Sequence, residues 1–214
     1  MSDELILYTN PMSRGRIARW MLEEIGAPYR TEILEYGTTM KSPDYLAINP
    51  MGKVPAIVHG GRTVTESAAI CAYLADAFPK AGLAPPPGDR DRYYRWLFYF
   101  AGAVEAAVTN RNLGLVVPAD KERMVGYGTY DAVMNAAEKA VSETPYIAGD
   151  SFTAADVYCG AQIGWGLQFG FFDKRPAFEA YWAKLAERPA YLRATGIDDA
   201  LGRKGDSIAA NSES

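Results

Sequence analysis

Soft metal ligands are scarce in this 214-residue chain, which has one histidine and two cysteines. His59 sits at the lip of a two-glycine turn, and Cys71 and Cys159 lie far apart, each inside an apolar helical pattern. No cluster has metal-ligand spacing, so no metal is expected. His59 has no sequence context beside a nucleophile, which argues against a serine–histidine catalytic unit. The cysteines read as buried, reduced packing residues. An excess of positive charge is missing too. A net charge of -4 and a pI near 5.2 leave no basic field for nucleic acid or an anionic membrane. No apolar run approaches the roughly 18 to 20 residues that span a bilayer, and MSDELILYTN lacks the basic-then-apolar order of a secretory signal. The expectation is a soluble, cytoplasmic protein with neither nucleic acid nor membrane as partner.

What is present is apolar residues, at 49% of the chain, enough for one large or two small domains. Pro79 and the run Ala84-Pro85-Pro86-Pro87-Gly88 read as a stiff linker. The expected partition is a first domain at 1–80, a linker at 81–89, an all-helical domain at 90–202 and a mobile tail at 203–214. In the first domain, residues 4–9 read as a buried strand and Asn10-Pro11-Met12-Ser13 as a turn, with Ser13 capping a helix over Arg14–Ile25. Ile17, Trp20, Met21 and Ile25 form its apolar stripe, with Arg16, Arg19, Glu23 and Glu24 largely on the other side. Gly26 and Pro28 stop it. Next come a strand at 29–34, an irregular stretch at 35–48 with a short helix near 44–47, and a hairpin (56–59, Gly60-Gly61, 62–65). A helix over 67–78 completes the unit. The order βαβ then ββα is thioredoxin-like, yet the turn before the first helix has no C-x-x-C, so the protein has no dithiol cycle of its own.

Beyond the linker, residues 89–115 read as one long helix with an aromatic first half (Tyr93, Tyr94, Trp96, Phe98, Tyr99, Phe100) on more than one face. A second helix is expected over 120–142, weakened by Gly126 and Gly128. Thr153 and Asp156 have the offset of a capping box, with Phe152 and Val157 placed as a hydrophobic staple. Helices at 154–169, 176–187 and 189–200 follow.

The stretch 49–74, NPMGKVPAIVHGGRTVTESAAICAYL, goes beyond folding. Val54 precedes proline and is therefore extended, and an X-Pro bond in a tight turn is where a cis peptide is found. An extended residue at a sheet edge has an N–H and a C=O for another backbone. Ser67 lies at a helix N-terminus, which favours a carboxylate, and Glu66 beside it can hold an ammonium. Together these suit a small peptide with an amino-acid end.

Asn49-Pro50-x-Gly52-Lys53-Val54-Pro55 followed by Glu66-Ser67-x-Ala69-Ile70 resembles the glutathione-binding half of the cytosolic glutathione S-transferases. The Thr153 capping motif resembles the one that opens the core helix of that family's C-terminal domain. The resemblance implies an α/β thioredoxin-like N-terminal domain plus an all-α C-terminal helical bundle domain. It also implies glutathione as co-substrate, activation of its thiol as a thiolate for attack on hydrophobic electrophiles, and a homodimer. By position after the first strand, Ser13 matches the activating serine of the bacterial serine-type, theta-like enzymes. Tyr8 is in reach of the part that tyrosine plays in other classes, Asn10 is a further donor in the same turn, and Arg14 or Arg16 can add positive potential. Val54, with Pro55, would pair main chain to main chain with the cysteinyl residue. Glu66 and Ser67 would hold the γ-glutamyl end, and Lys53 with Lys41 would meet the glycyl carboxylate. An apolar electrophile pocket between the domains would be lined by Met12, Tyr99, Trp165 and Phe169. The same scaffold also accommodates a glutathione-dependent peroxidase, disulfide reductase, dehalogenase or isomerase, or a non-catalytic glutathione binder. The turn Asn10-Pro11-Met12-Ser13 departs from the serine-rich turn of the zeta-type isomerases.

Overall fold

A computed structural model describes the backbone of residues 4–212 and the side chains of residues 4–203. They form two compact units: residues through Ala81 together with those from Glu187 onward, and Gly82–Ala186.

The first unit runs β1 (Leu5–Thr9), α1 (Gly15–Ile25), β2 (Arg30–Ile33), α2 (Pro43–Ile48), β3 (Ala56–His59), β4 (Arg62–Thr65) and α3 (Ser67–Ala77). The strands make one sheet in the order β2-β1-β3-β4, with β1 parallel to β2 and the other pairs antiparallel. This is the thioredoxin-like order expected from the sequence. Inner β1 buries Leu5, Ile6 and Leu7, whereas the outer strands are short and carry exposed Arg30, Arg62 and Thr63, which blunts the edges. The helix expected near 44–47 is α2, started by Pro43 in its first turn and by the Ser42 hydroxyl, which accepts from Tyr45 N–H at 3.3 Å.

Helix α1 buries Ile17, Trp20 and Met21 of its expected stripe and also Leu22, while Ile25 is only half-buried, and Gly26 closes it in the left-handed region with its N–H on Leu22 O. Its polar side is not simply solvated. The last helix, α9 (Pro189–Ser212), lies along it. Arg16 pairs with Asp199 at 2.7 Å, Arg19 with Asp198 at 2.8 Å, Glu23 with Arg193 at 3.1 Å and Glu24 with Arg188 at 2.7 Å. Arg19 is therefore buried, and it also donates to Tyr29 Oη and Thr31 Oγ1. Burial pushes the Asp198 carboxyl up while the Arg19 guanidinium pulls it down.

The second unit contains α4 (Asp91–Tyr99), α5 (Glu105–Asn112), α6 (Tyr130–Glu143), α7 (Ala154–Gln168) and α8 (Pro176–Ala186), and α9 (Pro189–Ser212) returns to the first unit. The expected partition ran the helical domain through 202, whereas α9 packs on α1. The long helix expected over 89–115 is α4 and α5 joined by a π turn at Phe100–Val104. The helix expected over 120–142 begins only at Tyr130. Gly128 sits at φ 70, where a continuing helix cannot run, and the Thr129 hydroxyl accepts from Ala132 N–H to start a new one. The capping box forms as read. Asp156 takes Thr153 N–H and Oγ1–H, and its other oxygen accepts from Ile147 N–H and Tyr181 Oη–H. A short capping motif thus ties α7, α8 and the segment at 147 to one buried carboxylate. Of the tail expected at 203–214, residues up to Ser212 instead continue the backbone of α9, and 213–214 lie outside the described residues. Cys71 and Cys159 are both reduced and buried, and burial pushes the Cys71 thiol up.

Removing one partner of a buried ion pair leaves the other charge uncompensated. Asp198→Ala should therefore lower unfolding free energy by about 3 to 5 kcal/mol, measured by chemical denaturation.

Candidate functional site

Strand register decides which residues meet. Tyr8 pairs with Ala56, and Ala56 pairs with Thr65. The exit of β1, the entry of β3 and the exit of β4 therefore lie at one end of the sheet. The turn containing Ser13, the Val54-Pro55 dipeptide and the Glu66-Ser67 pair are each attached to one of these three ends, so segments more than fifty residues apart gather there.

At the exit of β1 the turn is held by its own polar groups. Ser13 N–H and Oγ–H both donate to Asn10 O, at 3.1 and 2.6 Å, and Ser13 Oγ accepts from Gly15 N–H at 2.9 Å. The helix proper starts at Gly15 and its boundary residue Arg14 offers no capping side chain, so the Ser13 hydroxyl supplies the cap from one position upstream. Gly15 has no Cβ for a reason of space: one would collide with Thr9 Oγ1. Asn10 is buried and occupied, donating from Nδ2 to Leu34 O at 2.8 Å and accepting Met12 N–H on Oδ1 at 2.9 Å. Tyr8 points away. Alternation along β1 sends Thr9 toward α1 and Tyr8 to the other face, where its ring meets Tyr45 at 5.6 Å in a cluster with Met40, Ala56 and Val54. Of the three proposed thiol-facing residues, Ser13 is the one that stands, half-exposed, at a helix start.

The loop before β3 is strapped by polar side chains. Tyr45 Oη–H and Asn49 Nδ2–H converge on Lys53 O at 2.6 and 2.7 Å, and Lys41 Nζ donates to Met51 O and Gly52 O at 3.0 and 2.9 Å. Burial pushes the Tyr45 hydroxyl up to about 12, so it stays a donor. These bonds fix the chain just before Val54, whose peptide to Pro55 is cis, as the turn position suggested. Val54 N–H and C=O have no hydrogen bond among the described residues. The sequence placed Val54 on a sheet edge. It instead precedes inner strand β3, and its backbone is open because the ladder with β1 and β4 has ended. Lys41 thus works first as a strap across the loop, while Lys53 is exposed.

At the exit of β4, Glu66 has φ 66 and ψ 119, the one non-glycine positive φ among the described residues. A backbone of that kind stores on the order of 1 to 3 kcal/mol. It lets α3 start at Ser67 with no capping side chain, so the N–H groups of Ser67, Ala68 and Ala69 have no partner among the described residues. Glu66 itself is exposed. An anion-seeking helix start therefore stands next to a carboxylate.

The proposed pocket residues are divided between the units. Met12 is 77% exposed beside Ser13 in the first. In the second, Tyr99 donates from Oη to Val133 O at 3.3 Å, Trp165 is half-buried on α7, and Phe169 is exposed with its ring 5.8 Å from Phe171. Tyr36, Tyr45 and Asp199 were not anticipated. Their roles depend on which carbonyl or guanidinium stands opposite them, and sequence spacing has no signal for that.

Residues 12–77 match the family model for the glutathione S-transferase N-terminal domain. A glutathione S-transferase of Hypomyces subiculosus is 28% identical over 88% of this chain and 96% of its own. A sphingomonad glutathione S-transferase, solved in complex with glutathione, is 30% identical over 91% of this chain and 98% of its own, with a TM-score of 0.72. A theta class enzyme from Xanthomonas axonopodis pv. citri, with glutathione bound, is 26% identical at a TM-score of 0.70, covering 91% of this chain and 98% of its own.

Gly52 sits at φ 58, and a Cβ there would stand 2.7 Å from Met40 O and 2.8 Å from Lys41 Nζ. Gly52→Ala should therefore cost about 1 to 3 kcal/mol in a denaturant melt. Gly88→Ala, where a Cβ meets nothing within 4 Å, should leave the melt unchanged.

Proposed function

Because the chain belongs to the glutathione S-transferase family, we propose that its sheet end binds glutathione and that the Ser13 hydroxyl holds the sulfur as a thiolate. The observation that supports this reading is the common register of Tyr8, Ala56 and Thr65, which gathers a hydroxyl, an open backbone pair and an uncapped helix start. The protein acts as a glutathione transferase, and its electrophile is a small hydrophobic compound.

Val54 N–H and C=O pair with the cysteinyl backbone of the tripeptide, as in strand addition. The uncapped N–H groups and hydroxyl at Ser67 take the γ-glutamyl carboxylate, and Glu66 takes its ammonium. Lys53 faces the glycyl carboxylate, with Lys41 beside it. In this proposed pose the cysteinyl sulfur lies at the start of α1.

The thiol proton leaves to solvent, and the thiolate then attacks the electrophilic carbon to form the C–S bond, either as the carbon's bond to its leaving group breaks and that group departs with the electron pair, or, at an activated double bond, as the π electrons move to the neighbouring atom, which takes a proton from solvent. A free cysteine thiol titrates near 8.5, and lowering it by about two units takes roughly 2.7 kcal/mol of preference for the anion. One hydrogen bond to a charged group contributes about 1.5 to 3 kcal/mol, and a helix N-terminus about 0.3 to 1. Ser13 with the start of α1 is enough. To donate, its hydroxyl turns from Asn10 O to the sulfur, and Asn10 O keeps the Ser13 N–H. The Gly15 N–H that Ser13 Oγ accepts polarises the hydroxyl toward donation. With both protein cysteines buried, the sulfur nucleophile comes from the bound tripeptide. Tyr8 and Asn10 serve the fold of the turn and sheet.

Met12, exposed beside Ser13, contributes apolar surface for the electrophile. We place the working enzyme in the cytoplasm as a homodimer, with detoxification of electrophiles as its role.

Ultraviolet titration of the bound thiol is the test: the parent should hold glutathione as thiolate at pH 7. Ser13→Ala should raise the bound-thiol pKa by about one to two units and lower turnover roughly 10- to 100-fold, with little change in glutathione affinity. Tyr8→Phe should keep turnover near the parent's, and Ser67→Ala should weaken glutathione binding instead. Full activity in Ser13→Ala removes that residue from the role.

A further inference from the structure

The turn that presents Ser13 is held from a distance. Each carbonyl in it accepts a bond: Asn10 O from Ser13 N–H and Oγ–H, Pro11 O from Arg16 Nε–H at 2.6 Å, Met12 O from Tyr36 Oη–H at 3.3 Å and Ser13 O from Arg16 N–H at 3.3 Å. When the Ser13 hydroxyl leaves Asn10 O for a sulfur, the turn rests on the remaining bonds. The one from the Arg16 guanidinium is the shortest of them and charge-assisted. The same guanidinium donates from Nη2 to Asp199 Oδ1 at 2.7 Å, across 183 residues of sequence. A planar fork bonded at both ends cannot rotate, whereas one bonded at one end can swing into water.

We propose that Asp199 is a positioning residue for thiol activation: it holds the Arg16 guanidinium against the Pro11 carbonyl and so sets where the Ser13 hydroxyl points. This rests on the reading that Ser13 meets the sulfur. Its action is geometric. Asp199 cancels the Arg16 charge at 2.7 Å, and the neighbouring Arg19 and Asp198 cancel each other at 2.8 Å, so the cluster supplies little net field to the sulfur. Residues at this distance from the chemistry still matter, because a small displacement of a donor weakens a bond that the transition state needs.

Sign separates the alternatives. Loss of position raises the bound-thiol pKa, while uncovering the Arg16 charge lowers it. The measurements are the pH titration of bound glutathione by thiolate absorbance, and kcat and KM for glutathione at pH 6.5, in Asp199→Ala, Asp199→Glu and Arg16→Lys. Asp199 is half-exposed, so these variants should fold like the parent. In Asp199→Ala, kcat should fall about 3- to 10-fold and the bound-thiol pKa rise by about half to one unit, with KM within about twofold. Arg16→Lys, which keeps the charge and loses the planar Nε–H, should behave alike, and Asp199→Glu should recover most of the loss. The double variant Ser13→Ala/Asp199→Ala should be no slower than Ser13→Ala alone, because the two act on one bond. An unchanged or lowered thiol pKa in Asp199→Ala, or additive losses in the double variant, overturns the proposal while leaving Ser13 in place. Full turnover in Ser13→Ala takes down both.

Discussion

One pairing register underlies everything at the sheet end. Because Tyr8 faces Ala56 and Ala56 faces Thr65, the exit of β1, the entry of β3 and the exit of β4, which bear Ser13, Val54 and Glu66, share one end of the sheet. A slip by a single residue would turn every side chain to the opposite face. Tyr8 would then stand toward α1 and Thr9 among Met40 and Tyr45, and the close fit of Thr9 against Gly15 would be lost. Buried Leu5, Leu7 and Ile57 hold the register by packing.

The groups at that end are mostly backbone. Val54 offers an N–H and a C=O, α3 offers its first N–H groups, and the side chains around them work chiefly as struts. Lys53 O collects two donors, Lys41 bridges two carbonyls, and Asn10 spends its amide on the turn. Such a design suits a substrate that brings its own nucleophile. The protein then has to orient a peptide and stabilise one anion, and a hydroxyl at a helix start is sufficient for the second task. The strain at Glu66 is consistent with this, since a conformation of that kind persists only where the surroundings impose it.

The last helix gives the first unit a polar seam as well as an apolar one. Three ion pairs join α9 to α1, from fully buried Arg19–Asp198 to half-exposed Arg16–Asp199, and a fourth comes from Arg188 just before α9. Buried pairs of this kind contribute little net stability, because desolvation offsets most of the attraction, yet they cost heavily when broken. Their evident effect is to fix how α9 lies on α1, which is the helix whose first turn holds Ser13. A solvent-facing side was the natural reading of Arg16, Arg19, Glu23 and Glu24. A helix nearly 170 residues later in the chain covers it instead.

Local signals in the chain determined a great deal. Apolar alternation and helical spacing marked the strands and α1, the two-glycine turn marked the hairpin, Pro55 marked the cis turn, and Thr153 with Asp156 marked the start of α7, because each depends on residues within a few positions of one another. The motifs at 49–55 and 66–70 named the family for the same reason. Tertiary structure alone decided that Tyr8 faces Tyr45, that Lys41 straps its loop and that α9 belongs with α1. Those outcomes turn on which charge, carbonyl or ring arrives from a distant segment, and burial and hydrogen-bond geometry between such segments exist only once the chain has folded.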